Sequence, residues 1–305
     1  MIRSSDTLIR RAFFYSPLGF LRAHEATLGS RQLAELAAAA ANGKSRFVGA
    51  DARFLLTHLP WDSDFFLCPV YRLDFAEWDP EDPAPAETLR AALEHIAAEL
   101  SATHPRYYLF AEVPSEDLEV MQALGLAGYR LIETRITYFY ENLNRFQWNE
   151  RFPVRPATIA DIPVVREAAK EARNTFDRHH ADPFFPLSMA DDYLAKFVEN
   201  SVRGFADLVL IPADDAAPPA AFMTAKLTSA AESSVGLGIG RVVLSAVGAA
   251  RRGWHLRLMS EMTYHFQQAG LQLSCMTTQA TNRPVIRNCE KLGYQYGRST
   301  HVFAR

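Results

Sequence analysis

The stretch from Arg241 to Gln268, RVVLSAVGAARRGWHLRLMSEMTYHFQQ, does more than any other to limit what this chain can become. It opens on Val242, Val243, Leu244, Ala246 and Val247, the pattern of a buried strand. A small basic turn follows, Gly248-Ala249-Ala250-Arg251-Arg252-Gly253. From Trp254 apolar residues return at helical spacing through Leu256, Met259, Met262, Tyr264 and Phe266. Strand, basic turn and helix make an anion-binding arrangement. The first turn of a helix has unpaired N–H groups at the positive end of its dipole, and arginines sit beside it here. Phosphate or pyrophosphate is the natural guest, although an ordinary strand-to-helix turn with solvated arginines fits the same residues equally well.

At 305 residues, nearly half of them hydrophobic, the chain can bury the cores of two compact domains. Its 32 basic and 35 acidic residues nearly balance, which argues against a general nucleic-acid binder. Cys68, Cys275 and Cys289 are far apart and form no paired spacing. They point to a reducing, cytoplasmic setting and away from disulfides or structural zinc. The nine histidines include no HExxH pair, so no metal is expected. No apolar run approaches the roughly 20 residues of a membrane span. The N-terminal segment MIRSSDTLIRRAFFYSPLGFL is basic, then apolar, but Arg10, Arg11 and Pro17 interrupt it. It lacks the apolar core of a secretory signal, while its amphipathic character leaves a peripheral membrane contact open. Met1 to about Arg53 carries no readable motif.

The pattern along the chain is that of a mixed α/β protein in two halves. In the first, a helix over Leu33–Ala41 ends at Asn42-Gly43, and Val70–Phe75 reads as a strand. After a turn-rich loop, Asp79 to Pro85, come a helix over Glu87–Ala102, a strand over Tyr107–Val113 and a helix over Glu116–Leu124. Two strands, at about Tyr129–Ile132 and Arg135–Tyr140, close this half, and polar Asn142–Arg151 is the expected connector, with domains at 1–145 and 146–305. The pattern then restarts: strand Val154–Thr158, helices from Asp161 and Ser188, and strands near Ala206–Ile211 and Ala221–Leu227. After the opening stretch come a strand at Gln272–Thr277, a helix over Arg283–Leu292 and strands at Tyr294–Tyr296 and Thr300–Phe303. The run Gly236-Leu237-Gly238-Ile239-Gly240 leads into a strand rather than a helix, which argues against a dinucleotide site and for a flexible or bulged strand start.

Thr278-Gln279-Ala280-Thr281-Asn282, followed by a helix ending Lys291-Leu292-Gly293-Tyr294, closely resembles the C-terminal half of the GNAT N-acyltransferase superfamily. With the basic turn counted as that family's pyrophosphate turn, the resemblance runs from about Val154 to the end. Leu59-Pro60-Trp61-Asp62-Ser63-Asp64-Phe65-Phe66 and Asn200-Ser201-Val202-Arg203-Gly204 bring it nearest to nucleotide-sugar N-acyltransferases of the TDP-fucosamine acetyltransferase group. The resemblance implies a GNAT fold in the C-terminal half and a degenerate GNAT-like N-terminal half without a pyrophosphate turn, hence one CoA site per chain. Trp61 and Phe65 read as core residues, with Asp62 or Ser63 free to face a cleft.

It further implies an N-acyltransferase that moves an acyl group from acetyl-CoA or another acyl-CoA to the amine of a dTDP-linked amino sugar by direct attack. A non-catalytic acyl-CoA-binding protein and a GNAT acting on another amine stay open, as does a homodimer. Two strands, here Val243–Val247 and Leu273–Thr277, would splay to admit the pantetheine arm. Pyrophosphate would lie on the N–H groups of Arg252, Gly253, Trp254, His255, Leu256 and Arg257, Ser245 would line the cofactor, and an N–H near Ala246 or Val247 would polarise the thioester carbonyl. Asn282 matches the asparagine that contacts the CoA arm, and also suits a helix N-cap. The turn departs from the family pattern at His255 and Arg257, which replace glycine or alanine. The family's proton-donating tyrosine falls on Cys289, as general acid or small buried residue, with Tyr264, Tyr294 or water as substitutes. The loop carrying Asn174, Arg178, His179, His180, Asp182 and Phe184 would meet the acceptor, with His180 as the base, or would be a plain polar loop.

Overall fold

A computed structural model of the chain describes residues 5–214 and 216–305. The chain forms two compact units, one of residues 1–135 with 298–305 and one of residues 136–297. The division falls inside a strand, ahead of the expected boundary at 145.

In the first unit, α1 (Ser5–Tyr15) and α2 (Glu25–Ala41) precede β1 (Ser45–Val48) and β2 (Arg53–His58). The helix α3 (Pro60–Phe66), β3 (Val70–Glu77), α4 (Pro85–Thr103), β4 (Tyr108–Pro114) and α5 (Leu118–Leu126) follow. β1, β2 and β3 are antiparallel neighbours, and β3 runs parallel to β4. α4 buries Leu89, Leu93, Ile96 and Leu100 at helical spacing against Phe54, Leu56, Leu109 and Ala111 of the sheet. α1 and α2 contribute Ala12 and Leu36 to a second cluster with Leu55 and Phe75. The residues of α3 behave differently from expectation. Trp61 stays 39% exposed and stacks on Phe65, while Ser63 is used internally, donating to the Leu59 carbonyl and accepting from Val70 N–H.

The two strands expected over residues 129–140 are one, β5 (Arg130–Glu141), because residues 133–134 bring no turn residue to break it. The last two expected strands likewise merge into β11 (Gln295–Ala304). Its end pairs antiparallel with β4 from Thr300 to Ala304, which is why the C-terminal residues belong to the first unit.

The second unit contains β6 (Val154–Pro156), α6 (Ile162–Glu171), a short α7 (Arg178–Ala181) and α8 (Leu187–Asn200). Then come β7 (Leu208–Pro212), β8 (Ala221–Thr228), β9 (Ile239–Val247), α9 (Trp254–Gln268), β10 (Leu273–Gln279) and α10 (Arg283–Lys291). β6 to β9 form an antiparallel run, and β10 lies parallel to β9. α9 packs Leu258, Met259, Met262 and Phe266 into the core beneath these strands. The connector belongs to this core too: Leu143 and Phe146 are buried, and Gln267 donates to both of their carbonyls.

Gly240 shows why the glycine run is there. A Cβ on Gly240 would lie 2.5–2.6 Å from the Phe266 ring, so the absence of a side chain lets α9 approach β9. Gly240→Ala should destabilise the chain by about 1–3 kcal/mol, and pairing it with Phe266→Leu should recover part of the loss. Urea denaturation of the two variants checks this; equal stability of wild type and Gly240→Ala would contradict the close approach.

Candidate functional site

β9 and β10 pair at only four positions, from Leu273↔Ile239 to Met276↔Val242. Beyond that point β9 continues to Val247 against β8, and β10 continues to Gln279, but not against each other. The separation begins at an irregularity. Thr224 and Ala225 of β8 face Leu244 and Val242, so Val243 is an extra residue on β9. The Thr224 hydroxyl repairs the damage on the closed side, accepting the Leu244 N–H at 3.0 Å and lying 3.2 Å from its carbonyl. Thr224 is fully buried.

This arrangement fixes which backbone groups face the gap. Leu244 N–H points to β8, and so does Gly248 N–H, which donates to the Ala220 carbonyl at 2.8 Å. By strand alternation, Ser245 and Val247 direct their N–H and C=O groups toward the gap, and Ala246 directs its own toward its β8 partner Phe222. Of Ala246 and Val247, the residues expected to polarise a carbonyl, only Val247 is so oriented; Ser245, expected along the cofactor, shares its phase.

The turn after β9 leads into α9 through Gly253, which adopts φ +87° at the N-cap. No side chain caps this helix, so the N–H groups of Trp254, His255 and Leu256 keep their donor capacity. Arg252, Gly253 and Arg257 are exposed, whereas the Trp254 side chain is core. Arg251 is not an anion ligand: it is buried and gives its guanidinium to Asp214 and to the Pro218 and Ala217 carbonyls. The His255 Nδ1 sits 3.0 Å from the Asn288 amide. Burial pushes this imidazole down to about 4, so it is neutral, and with Nδ1 accepting, the proton is on Nε2. That buried Nε2 has no hydrogen-bond partner.

Asn282 N-caps α10, accepting the Val285 N–H. Cys289, seven residues on, is fully buried with its thiol 4.0 Å from the Met259 sulfur. Burial and the neighbouring Glu290 push the thiol up to about 12. The structure thus places Cys289 in the core, the bland alternative for this position. Neither substitute tyrosine is free. The Tyr294 hydroxyl is buried between Ser274 and Thr263, and the Tyr264 hydroxyl is held by both backbone groups of Trp148.

The loop after α6 divides into an inner and an outer set. His180 is sandwiched, with Nδ1 2.7 Å from Asp177 and Nε2 3.0 Å from Asp191, which Arg173 also engages. Burial lowers its affinity for a proton, but the hydrogen bonds and charges of the two carboxylates outweigh this and raise its pKa. A ring with both nitrogens on carboxylates is a clamp, not a base. His179 packs between Tyr193 and Phe185, and buried Asp182 accepts the Phe184 N–H within its own turn. Arg178 lies 3.0 Å from His179 Nε2. The outer set is Asn174, Phe176 and half-buried Phe184; Phe176 is 57% exposed. The Asn174 amide donates to Gln279 at 2.7 Å, which brings this loop to the end of β10.

No family model matches the sequence, and no curated protein matches it either. In structure the chain is similar to a GCN5-related N-acetyltransferase from Kribbella flavida, at 18% identity and a TM-score of 0.52, over 90% of this chain and 94% of that one. It is similar to a GCN5-related N-acetyltransferase from Sphaerobacter thermophilus, at 12% identity and TM-score 0.54, over 84% and 80% of the two chains. A tandem GNAT protein from the clavulanic acid biosynthesis pathway covers 100% of this chain and 96% of its own, at 14% identity and TM-score 0.51. The fold is the GNAT fold. At these identities the likeness is one of fold.

Within that fold, the structure gathers Ser245, Val247, the α9 N-terminus and Asn282 along the two arms of one opening. It withdraws Cys289, His179, His180 and Asp182 from it. Thr224 was not singled out from the sequence, although one threonine among Ala221-Phe222-Met223 and Ala225 was the available signal. None of the described helices is long and apolar enough to cross a membrane.

The His180 clamp has a pH signature. Its folded-state pKa is raised, so its contribution to stability is complete below the unfolded value of about 6.5 and is lost as pH rises through the folded one. The melting-temperature gap between wild type and His180→Gln should therefore be wide near pH 6 and narrow near pH 9. A gap that does not change with pH would show that the imidazole carries no charge there.

Proposed function

We propose that the second unit is a CoA-dependent N-acyltransferase site. The observation that carries this reading is the early separation of β9 from β10 at Val243, which leaves two strand edges able to hydrogen-bond a linear amide chain. Acetyl-CoA or a longer acyl-CoA would lay its pantetheine arm along Ser245 and Val247. Its pyrophosphate would lie on the uncapped N–H groups of the turn and first helical turn, from Arg252 to Arg257. The unpartnered Nε2–H of His255 supports this placement, because a buried donor without an acceptor is costly and an incoming phosphate or amide oxygen would satisfy it. As a neutral ring it adds no charge; exposed Arg252 and Arg257 supply that. Asn282 retains an amide N–H₂ for the arm beyond its capping role.

On this reading the chemical step is a direct transfer. The acceptor amine attacks the thioester carbonyl carbon, a C–N bond forms, and the C–S bond breaks to release CoA thiolate. The Ser245 or Val247 N–H stabilises the oxyanion in between. No acyl-enzyme is required, since holding both reactants supplies much of the barrier reduction. With Cys289 in the core and His180 clamped, the amine proton leaves through water to solvent rather than to either residue.

We infer a small-molecule amine as acceptor, and the sequence resemblance favours the amino group of a dTDP-linked amino sugar. Phe176 and Phe184 offer faces for a ring, and Asn174 offers an amide beside Gln279. A second reading, a non-catalytic acyl-CoA-binding protein, is favoured by the same withdrawal of Cys289 and His180.

CoA release with a panel of dTDP- and UDP-linked amino sugars and other small amines, measured beside acetyl-CoA binding, separates these readings. Turnover with an amino sugar supports the full proposal, and turnover only with another amine moves the acceptor. Binding without transfer to any amine favours the second reading; absence of binding overturns both. Cys289→Ala should keep the wild-type rate within about twofold, and a loss near 10²-fold would restore the thiol as general acid.

A further inference from the structure

The first unit repeats the construction of the opening. β3 and β4 run parallel and pair at four positions, ending at Leu73↔Ala111. Immediately afterwards β3 carries an extra residue against β2, where Leu55 and Leu56 face Phe75 and Leu73, so Asp74 stands out as Val243 does. The spacing outward from this landmark is conserved within the chain. α4 and α9 each begin eleven residues past the extra residue (74 to 85, 243 to 254). α5 and α10 each begin seven residues past the last pair (111 to 118, 276 to 283). Each of the latter helices ends at a left-handed glycine, Gly128 or Gly293, followed by a tyrosine. On this count Ala76 corresponds to Ser245, Asp117 to Asn282, and Asp79-Pro80-Glu81-Asp82-Pro83-Ala84 to the turn Gly248–Gly253.

The first opening is filled. Arg11 of α1 donates from Nη2 to the Ala76 carbonyl at 3.2 Å and to the Asp117 carboxylate at 2.9 Å, joining the counterparts of Ser245 and Asn282 with one guanidinium. Its guanidinium carbon lies 3.7 Å from the Trp78 ring centroid and 4.9 Å from that of Phe75. The Tyr15 hydroxyl donates to the same carboxylate oxygen at 2.7 Å. That Arg11 reaches the Ala76 carbonyl also shows that this residue faces the gap, the phase derived for Ser245 from Thr224. The turn is inverted in character: it carries three carboxylates, Asp79, Glu81 and Asp82, where the second unit's turn carries two arginines and no carboxylate, and Pro80, Pro83 and Pro85 remove N–H donors that a phosphate would use.

The geometry points to a second acyl-CoA-type cleft in the first unit, sealed by the protein's own Arg11 and Tyr15. The Arg11 N–H takes the place of a pantetheine amide at the strand carbonyl. The chain therefore takes up one equivalent of acyl-CoA, through the second unit alone. This rests on the acyl-CoA reading above for the ligand class, but the seal itself stands on Arg11.

The test uses the full chain, with calorimetry for acetyl-CoA stoichiometry and amide hydrogen exchange with and without the ligand. One equivalent is expected, with slowed exchange over residues 245–257 and none over 75–78. Arg11→Ala should speed exchange about tenfold or more at 75–78 and 113–117 in the absence of ligand, with acyl transfer unchanged. Tyr15→Phe, a milder change, should do so to a smaller extent, which guards against a failure of Arg11→Ala to fold. Two equivalents in wild type, ligand protection at 75–78, or unchanged exchange in both variants would overturn the seal. No binding at all would overturn the acyl-CoA reading while leaving the exchange measurement to decide the seal.

Discussion

One extra residue on one strand governs the second unit. Val243 shifts the register of β9 against β8 by one residue, yet β9 goes on pairing with β8 to Val247, while its pairing with β10 ends at Val242. The hydroxyl of Thr224 bonds Leu244 across the irregularity, so pairing with β8 resumes beyond it whereas pairing with β10 does not. An unpaired edge inside a sheet normally carries an energetic penalty, because buried N–H and C=O groups lose water without gaining partners. Here the edge lines an opening, so a ligand with alternating donors and acceptors is the natural complement. The chemistry proposed for this unit depends on that asymmetry.

The surroundings hold the opening in place with charges that have structural duties. Arg251 ties the turn to the loop containing Asp214, Ala217 and Pro218. Glu261, buried in α9, binds Arg151 and the Phe152 N–H, fixing the connector to the helix. Glu171 accepts the Ala249 N–H, while Asn174 holds Gln279, so the end of α6 touches both arms. His180 between Asp177 and Asp191 stiffens the loop that follows. Residue types that read as catalytic in a sequence are here mostly fasteners, and the reaction proposed above therefore rests on main-chain groups.

Much of this was legible beforehand, for physical reasons that differ from one feature to the next. The strand, turn and helix around Arg252 were visible because burial periodicity changes abruptly there. The α10 cap was visible because asparagine before Arg283-Pro284 has few other uses. The positions of Cys289 and His180 were not, because spacing along a helix or loop does not say which face meets the core. His179 and Asp182 looked like ligands for the same reason: a polar residue type does not reveal whether its partner is substrate or protein. The N-terminal segment was unreadable because the role of Arg11 depends on Ala76 and Asp117, residues brought to it only by folding. Merging of the expected strand pairs has two sources: Glu133-Thr134 brings no turn residue to β5, whereas Gly297-Arg298-Ser299 does carry turn residues but stays extended in β11, where the Ser299 carbonyl accepts the Ser115 N–H.

The most direct measurement is a crystal structure of the full chain with acetyl-CoA or its unreactive desulfo analogue. In it β9 and β10 should still be parted beyond Val242 and Met276, with the pantetheine arm between them. The Ser245 or Val247 N–H should lie within about 3.2 Å of the carbonyl oxygen, and the pyrophosphate at the start of α9. Strands paired through to Val247, with the ligand elsewhere or absent at saturating concentration, would contradict it.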